Sequence, residues 1–518
     1  MAMGSENMTE LENHGFSWKS LLRPSILLGL ATLAIHLAAG AGYGFFRDEL
    51  YFIVCGQRPA LGYVDQPPLV PLLAAFLWKL SGGSHFVFEL FPAALMAVTV
   101  SLSAEFARSL GGGRFSQFLA GLCVFGGGVI LMGGTKLSTD VLQPLAWLGC
   151  SWCIVRLVQS RDERWWLAFG AIVGISFLTK YMILLYVAAL LLGILATPLR
   201  RSFLRPWLWV GAALALLIMS PNLWWQYHHG WPFLELARAG AHGKNVVLPP
   251  LVLLAREVLL AGVLAFPVWL AGLWSFGIKP KFAAYRAFSL SYIVMLVLLV
   301  VLHGKDYYIA AIYPTLFAGG AVWAEAKVRS VGARAAYASV VAAASLFFAP
   351  FTVPLLSVSN FIQYERALNA SPSASASEHL ALRGLPQDYA DMFGWKEMAE
   401  KVAAVYNSLP PEKRAKAVFF GNNYGEAAAI DLYGRALGLP PAICAHNNYY
   451  LWGRMGHDGN VIIVLANDLK KLNAVYQEVT IAGRLDNPYA MPYETNLNIV
   501  VASGLKVPFP WERLKHYE

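Results

Sequence analysis

The chain has 518 residues, of which 57% are apolar and only 14% are charged, and its net charge is +9. About a quarter of the residues of an average soluble protein are charged, so this composition excludes an ordinary soluble enzyme, a disordered chain and a collagen. Five cysteines in this length exclude a disulfide scaffold. The apolar residues are concentrated before Ser357, which predicts a polytopic α-helical membrane protein with a soluble C-terminal domain.

Apolar segments long enough for membrane helices recur through the first two thirds of the chain. A spanning helix needs about 20 mostly apolar residues, and none of these segments alternates as the strands of a membrane β-barrel do. The sequence predicts about eleven spans, at residues 24–44, 86–106, 115–133, 140–158, 164–179, 181–198, 206–221, 249–275, 287–302, 309–325 and 335–357.

Polar and low-complexity stretches divide the chain into four parts. Residues 1–23 predict a cytoplasmic tail, 24–357 a transmembrane domain, 358–378 a linker, and 379–518 an extracytoplasmic α/β domain. The start of the first apolar run also fits a cleaved signal peptide. A signal anchor fits it better, because the run is long and more spans follow.

The lysines and arginines of the loops predict the orientation, because cytoplasmic loops are enriched in them. With the N-terminus inside, the inside segments hold sixteen of these residues and the outside segments hold eight. An odd number of spans then places the C-terminal domain outside the cytoplasmic (inner) membrane. Topology signals and anionic lipid account for the positive charge. No nucleic-acid partner is expected, and without a P-loop or G-x-G-x-x-G no nucleotide either.

The first outer segment, residues 45–85, is too polar to span and too apolar for a free loop. A helix is predicted from Asp48 to Cys55, ended by Gly56, and Pro67-Pro68 opens a second helix toward Leu80. Short amphipathic helices of this kind lie in the membrane interface.

Three acids of this segment, Asp48, Glu49 and Asp65, would then lie at the outer membrane boundary. A carboxylate is a poor base at neutral pH, but a low-dielectric rim and neighbouring acids raise its pKa toward useful values. Alternatively, Asp48 and Glu49 are solvated acids at a helix N-terminus, and Asp65 is a turn or cap residue.

Five polar motifs follow one another at the outer ends of the spans. They are Arg47-Asp48-Glu49-Leu50-Tyr51, Asp65-Gln66-Pro67-Pro68-Leu69, Ser138-Thr139-Asp140, Leu178-Thr179-Lys180-Tyr181 and Gly304-Lys305-Asp306-Tyr307-Tyr308. In order and spacing they resemble the motifs of GT-C membrane glycosyltransferases, in the bacterial branch of protein O-mannosyltransferases and the lipid A aminoarabinose transferase. One position departs from the latter, which has a lysine where this chain has Gln66.

The resemblance implies an inverting transfer of a sugar from a polyprenyl-phosphate donor to an acceptor (lipid, glycan or protein) at the outer face. A lipid-borne donor requires a site open to the bilayer. The phosphate leaving group requires cations, and the acceptor nucleophile requires a carboxylate beside it.

The resemblance implies a role for each motif residue. Asp48 is the expected base, while Glu49 and Asp140 shape its field and bind acceptor or sugar hydroxyls. Asp140 alternatively caps the fourth span. Lys305 alternatively snorkels beside belt aromatics, and Lys244 is alternatively a solvated loop charge. The candidates for binding lipid phosphate and sugar are Asp65, Lys180, Lys305, Tyr307, Tyr308, Arg58 and Lys244.

No metal or other cofactor is required by this chemistry. The sequence has no HExxH, and Cys150-x-x-Cys153 lies within a predicted span. Three rivals remain: a secondary transporter, which should show inverted repeats and mid-span charges; another ligase of lipid-linked glycans; and a sugar-binding receptor without catalysis.

The C-terminal part predicts a small α/β domain, because short buried strands alternate with helical stretches. Two of its loops, Gly421–Glu426 and His446–Tyr450, are rich in amides and aromatics, as sugar-binding loops and many ordinary loops are. The aromatic outer segment 222–248 suits either an interfacial flap or an aromatic belt. Helices are predicted at 395–408, 424–436 and 469–479, and strands at 417–420, 461–465 and 498–502.

Overall fold

A computed structural model describes residues 23–39, 42–240, 248–370, 382 and 384–517. The predictions for the N-terminal tail up to residue 22, for Lys244, and for residues 371–378 lie outside the described residues.

Each of the eleven apolar segments contains at least one α-helix, the form in which a chain satisfies its own backbone hydrogen bonds in lipid. Segment 249–275 is not one straight helix, because its two halves meet at 96°. The break is at Gly262, whose φ of +96° is open to glycine and strained for other residues. The α-helices of this part are Pro24–Leu37, Arg47–Gln57, Leu69–Ser81, His85–Ser109, Arg114–Phe125, Gly128–Gly133, Gln143–Ser160, Trp165–Phe177, Ile183–Leu195, Pro206–His228, Pro232–Ala239, Pro250–Ala261, Phe266–Ile278, Arg286–Val301, Tyr313–Lys327, Val331–Phe348 and Val358–Ala367.

Among the described residues, five helices are long and apolar enough to cross a membrane, or up to seven if each of two bent pairs is one span. Four further apolar helices are shorter. The helical membrane architecture is thus confirmed, whereas the count of about eleven spans stays a prediction. The predicted linker begins with the helix Val358–Ala367, in which Phe361 is buried.

The two helices of the first outer segment pack closely on each other. The first runs from Arg47 to Gln57, so the prediction that Gly56 ends it is wrong. Gly56 is needed for packing instead, because a Cβ there would lie 1.9 Å from the carbonyl oxygen of Pro71 on the second helix. This contact fixes the helix that carries Asp48 and Glu49.

The described part of the C-terminal domain contains five strands, which are β1 (Ala417–Gly421), β2 (Ile443–Cys444), β3 (Val461–Ala466), β4 (Tyr476–Leu485) and β5 (Leu497–Leu505). They form one sheet in the order β2-β1-β3-β5-β4. The first three strands in this order are parallel, and β5 and β4 are antiparallel additions. The α-helices of the domain are Gln387–Ala390, Trp395–Ser408, Pro411–Arg414, Tyr424–Ala429, Asn448–Trp452, Lys470–Val475 and Trp511–Leu514.

One predicted helix of this domain is shorter than expected, and another changes its helix type along its length. The stretch at 469–479 is helical only over Lys470–Val475, because the residues that follow pair with β5 as strand β4. The stretch at 424–436 is α-helical over Tyr424–Ala429 and continues as a π-turn and a 3-10 turn to Leu437.

Ion pairs join the C-terminal domain to loops of the helical domain that precedes it. Arg47 pairs with Asp391 at 3.9 Å, and Arg58 pairs with Asp431 at 3.3 Å. Lys136 also pairs with Asp388. The domain therefore lies directly on the loops that carry the candidate acids.

Candidate functional site

Asp48 lies in the first turn of the helix Arg47–Gln57, where the helix dipole favours a negative charge. The hydroxyl of Tyr424 donates a hydrogen bond of 2.8 Å to its Oδ1, and Nε of Arg47 lies 3.6 Å from the same oxygen. The Asp48 side chain is 35% exposed. It is thus held on one oxygen and accessible from outside, as a base for an external substrate must be.

Arg47 ties this acid to the C-terminal domain. Its Nη1 donates 2.6 Å to the hydroxyl of Tyr493, and its guanidinium lies 5.2 Å from the ring centre of Tyr424. Burial raises the pKa of Asp391, its acidic partner, to about 6, and Arg47 acts in the opposite direction. The arginine is therefore engaged by groups of its own chain, beside the candidate base.

Glu49 is fully buried, and both of its carboxylate oxygens accept backbone hydrogen bonds. The amide of Leu137 donates at 2.6 Å and that of Phe46 at 2.8 Å. Burial raises the pKa of Glu49 above its usual range. The carboxylate is buried and links two loops of the site. The expectation that Glu49 binds sugar or acceptor hydroxyls stays a prediction.

Asp65 lies at the seam between the first outer segment and the C-terminal domain. The hydroxyl of Tyr51 donates 3.0 Å to Oδ1, and the amide of Asn447 donates 3.4 Å to Oδ2. Asn448 reaches the same loop, because its Oδ1 accepts from the amide of Val64 at 3.2 Å. The amide-rich loop noted in the sequence therefore contacts a motif acid.

Asp140 and Lys180, from two different motifs, form a close ion pair of 2.6 Å. The alternative that Asp140 caps the fourth helix does not hold, since that helix starts at Gln143 with Leu142 as its N-cap residue. The Lys180 ammonium lies 4.8 Å from the ring centre of Tyr308 and 5.6 Å from that of Tyr307. Three sequence motifs thus converge at this point.

A cavity opens beside this ion pair. Its lining combines Asp140, Tyr307 and Tyr308 with the apolar side chains Met96 and Trp147. Lys305 belongs to the same motif and lies 5.9 Å from the ring centre of Tyr307. The cavity thus has a polar end, formed by the acid and the two tyrosines, and an adjoining apolar wall.

Arg58 is engaged differently from the other candidate cations. It pairs with the buried Asp431 and lies 4.3 Å from the ring centre of Trp452, both in the C-terminal domain. These contacts join the first outer segment to the C-terminal domain. The contact of Arg58 with phosphate stays a prediction.

One group of ligand-type side chains in the described part of the chain has metal-like spacing. Atoms of Glu49, His85 and Glu89 all lie within 4.8 Å of one another. Burial is the largest influence on the pKa of Glu49 and raises it to about 7, while two backbone amides and Lys136 act in the opposite direction. No step proposed below uses a metal there.

The sequence interpretation missed the residues that the C-terminal domain brings to the site. Tyr424 and Asn447 lie in the loops described as amide- and aromatic-rich, but nothing in their spacing indicates which acid each one meets. The cysteines Cys55 and Cys444, both predicted outside, are buried free thiols.

Part of the chain is similar in sequence to known glycosyltransferases. The family described as dolichyl-phosphate-mannose-protein mannosyltransferase matches residues 65–225. The lipid A galacturonosyltransferase RgtD of Rhizobium johnstonii is 28% identical over 213 residues, which is 39% of this chain and 43% of that protein. The match therefore spans less than half of the length of this relative.

Solved structures of ArnT from Cupriavidus metallidurans share the fold over almost the whole chain. The complex with undecaprenyl phosphate has a TM-score of 0.58 at 13% identity, covering 95% of this chain and 100% of that one. The apo state has a TM-score of 0.60 at 12% identity, covering 95% and 99%. The resemblance to GT-C membrane glycosyltransferases is thereby confirmed. The solved structures show the shared fold, and the sequence similarity covers part of the chain.

Proposed function

We propose that this chain is an inverting glycosyltransferase of the cytoplasmic (inner) membrane. It takes a sugar from a polyprenyl-phosphate carrier and transfers it to an acceptor at the outer face. The observation that carries the proposal is the arrangement of an accessible acid, Asp48, with a second centre in which Lys180 and Asp140 meet two tyrosines beside a cavity.

The proposed reaction is a single displacement. The acceptor hydroxyl (or amine) attacks the anomeric carbon, and its proton passes to the Asp48 carboxylate. The bond between the anomeric carbon and the phosphate oxygen breaks, and polyprenyl phosphate leaves with the bonding electrons. Lys180 stabilises the charge that develops on this phosphate, with Tyr307 and Tyr308 beside it and Lys305 as a further cation.

The similar proteins indicate which substrates to test first. ArnT was solved with undecaprenyl phosphate, and RgtD is named for lipid A and a galacturonosyl group. We therefore extend to this chain a polyprenyl-phosphate donor and a lipid-borne glycan acceptor. We also propose about eleven spans and an orientation with the N-terminus inside, which the apolar segments and the lysines and arginines of the loops support.

Replacing Asp48 with asparagine tests the proposal. The variant keeps the shape of the side chain but cannot accept a proton, so transfer should fall by at least about 100-fold while donor binding persists. Transfer is measured with purified protein, a radiolabelled polyprenyl-phosphate sugar and a lipid acceptor. Asp468→Asn is the matched control, because this exposed acid accepts a hydrogen bond from the backbone amide at the start of a short helix in the C-terminal domain.

Full transfer by Asp48→Asn would refute the base assignment. Vesicle uptake of a solute with no covalent transfer would instead favour the secondary transporter. Transfer of a preassembled oligosaccharide, with no transfer of single sugars, would favour the glycan ligase.

A further inference from the structure

We infer that the C-terminal domain is part of the catalytic site, with Tyr424 as the positioning residue that orients the Asp48 carboxylate through its hydroxyl. The inference rests on the proposed function, because it assigns a partner to the proposed base. It gives the soluble domain a task within the reaction.

The geometry around Asp48 leaves one carboxylate oxygen for substrate. Tyr424 and Arg47 both contact Oδ1. Among the contacts described for Asp48, Oδ2 is left for the acceptor proton. A hydrogen bond on one oxygen fixes the plane of the carboxylate and therefore the direction of the other oxygen.

Tyr424 is itself held firmly from several sides. It is buried, its ring lies 4.6 Å from that of Tyr51 and 4.9 Å from that of His446, and the Arg47 guanidinium covers it. A Cβ on the next residue, Gly425, would lie 2.5 Å from Cγ of Arg47. The docking of the short helix Tyr424–Ala429 on the outer loop thus depends on close fit, which a positioning role requires.

The charged and titratable groups that face Asp48 come from four parts of the chain. Arg47 precedes it on its own helix, Tyr424 comes from the first loop of the sheet domain, and Asp391 and Tyr493 act on it from two other C-terminal segments. Only the Tyr424 hydroxyl donates a hydrogen bond to the carboxylate within this described set. Removing it leaves the Asp48 carboxylate without this donor.

The test is Tyr424→Phe, which removes one hydroxyl. We expect kcat to fall about 10- to 100-fold with the donor KM changed less than about twofold, since a hydrogen bond to a charged group is lost. The acid limb of the pH profile of kcat/KM should move up by about one pH unit. Tyr476→Phe is the matched control, because this buried tyrosine of the same domain donates 2.8 Å to the Gly459 carbonyl within the sheet region.

A second substitution keeps the test decisive if Tyr424→Phe does not fold. Genetically encoded 3-fluorotyrosine at position 424 has nearly the same shape and a more acidic hydroxyl, so it should move the acid limb to lower pH. A purely structural role for Tyr424 predicts no movement in this variant.

The outcomes separate the two proposals. In one outcome, Asp48→Asn loses transfer while Tyr424→Phe has the same kcat and the same acid limb as Tyr476→Phe. This result overturns the inference and leaves the proposed function standing. Full transfer in Asp48→Asn removes the proposed base and the inference with it. If Asp48→Asn loses transfer, and Tyr424→Phe but not Tyr476→Phe has a lower kcat and a displaced acid limb, both the proposed function and the inference are supported.

Discussion

The ammonium of Lys180 lies 2.6 Å from Oδ2 of Asp140, although the two residues are forty positions apart in the chain. The Lys180 side chain is 17% exposed and that of Asp140 is 40% exposed. The carboxylate balances the charge of the lysine until a second anion competes for the ammonium. A donor phosphate is the anion that the proposed reaction brings.

Lys180→Gln should therefore weaken use of the donor. The glutamine keeps a polar side chain but has no charge for the phosphate, so kcat/KM for the donor should fall about 10- to 100-fold. Donor titrations under initial-rate conditions measure this. Lys79→Gln, at an exposed lysine near the end of the helix Leu69–Ser81, should leave them unchanged. Equal donor kinetics in the two variants would exclude Lys180 from phosphate binding.

Gly56→Ala should destabilise the protein and reduce transfer. The added methyl would meet the backbone of Pro71 at 1.9 Å, so the two helices must separate at a cost of about 1–3 kcal/mol. Thermal unfolding in detergent measures the loss. Gly277→Ala is the control, since a Cβ there would meet only Ser289 at 3.6 Å. An unchanged midpoint for Gly56→Ala would contradict the close packing of the outer-loop helices.

Asp431→Asn should loosen the C-terminal domain from the membrane domain. Asp431 accepts from Arg58, from the hydroxyl of Tyr449 and from the amide of Ala442, and the asparagine leaves Arg58 without its counter-charge. The expected cost is about 1–3 kcal/mol, reduced because Arg58 is partly exposed.

The loosening is measured by thermal unfolding and by limited proteolysis between the domains. Glu478 on strand β4 forms an exposed ion pair with Lys413. Glu478→Gln removes this pair and should change neither the unfolding midpoint nor the proteolysis. If Asp431→Asn is as resistant to protease as Glu478→Gln, the pair with Arg58 does not hold the domains together.

Thermal stability should fall as the pH rises from about 5 to 8, in part through Glu426. Burial raises the pKa of Glu426, with Glu494 buried beside it. The folded state therefore keeps a proton that the unfolded chain releases near its ordinary pKa. The stabilisation is complete below that pKa and is lost as the pH passes the folded value, by about 1–2 kcal/mol.

Glu426→Gln should flatten this dependence, because the amide is neutral at every pH. The melting midpoint is followed across the pH range, with the exposed Glu412→Gln as the control that keeps the slope. A parallel slope in Glu426→Gln would assign the pH dependence to other groups.

The sequence alone determined the membrane class, the helical segments and the order of the polar motifs, because hydrophobic length and local turn chemistry are properties of contiguous residues. It also indicated most strands of the C-terminal domain. It failed where the outcome depends on partners elsewhere in the chain. Gly56 lies within the helix, where the lack of a Cβ lets the backbone of Pro71 approach closely. Residues 476–485 form a strand because β5 pairs with them.

Only the tertiary structure decided which polar groups meet. Asp140 faces Lys180, and Asp48 faces Tyr424 across 376 positions of chain. Glu49, adjacent to Asp48 and of the same charge, is instead buried on backbone amides. Neighbouring helix positions point about 100° apart, so two adjacent acids enter different environments, and their partners come from segments that no local pattern links to them.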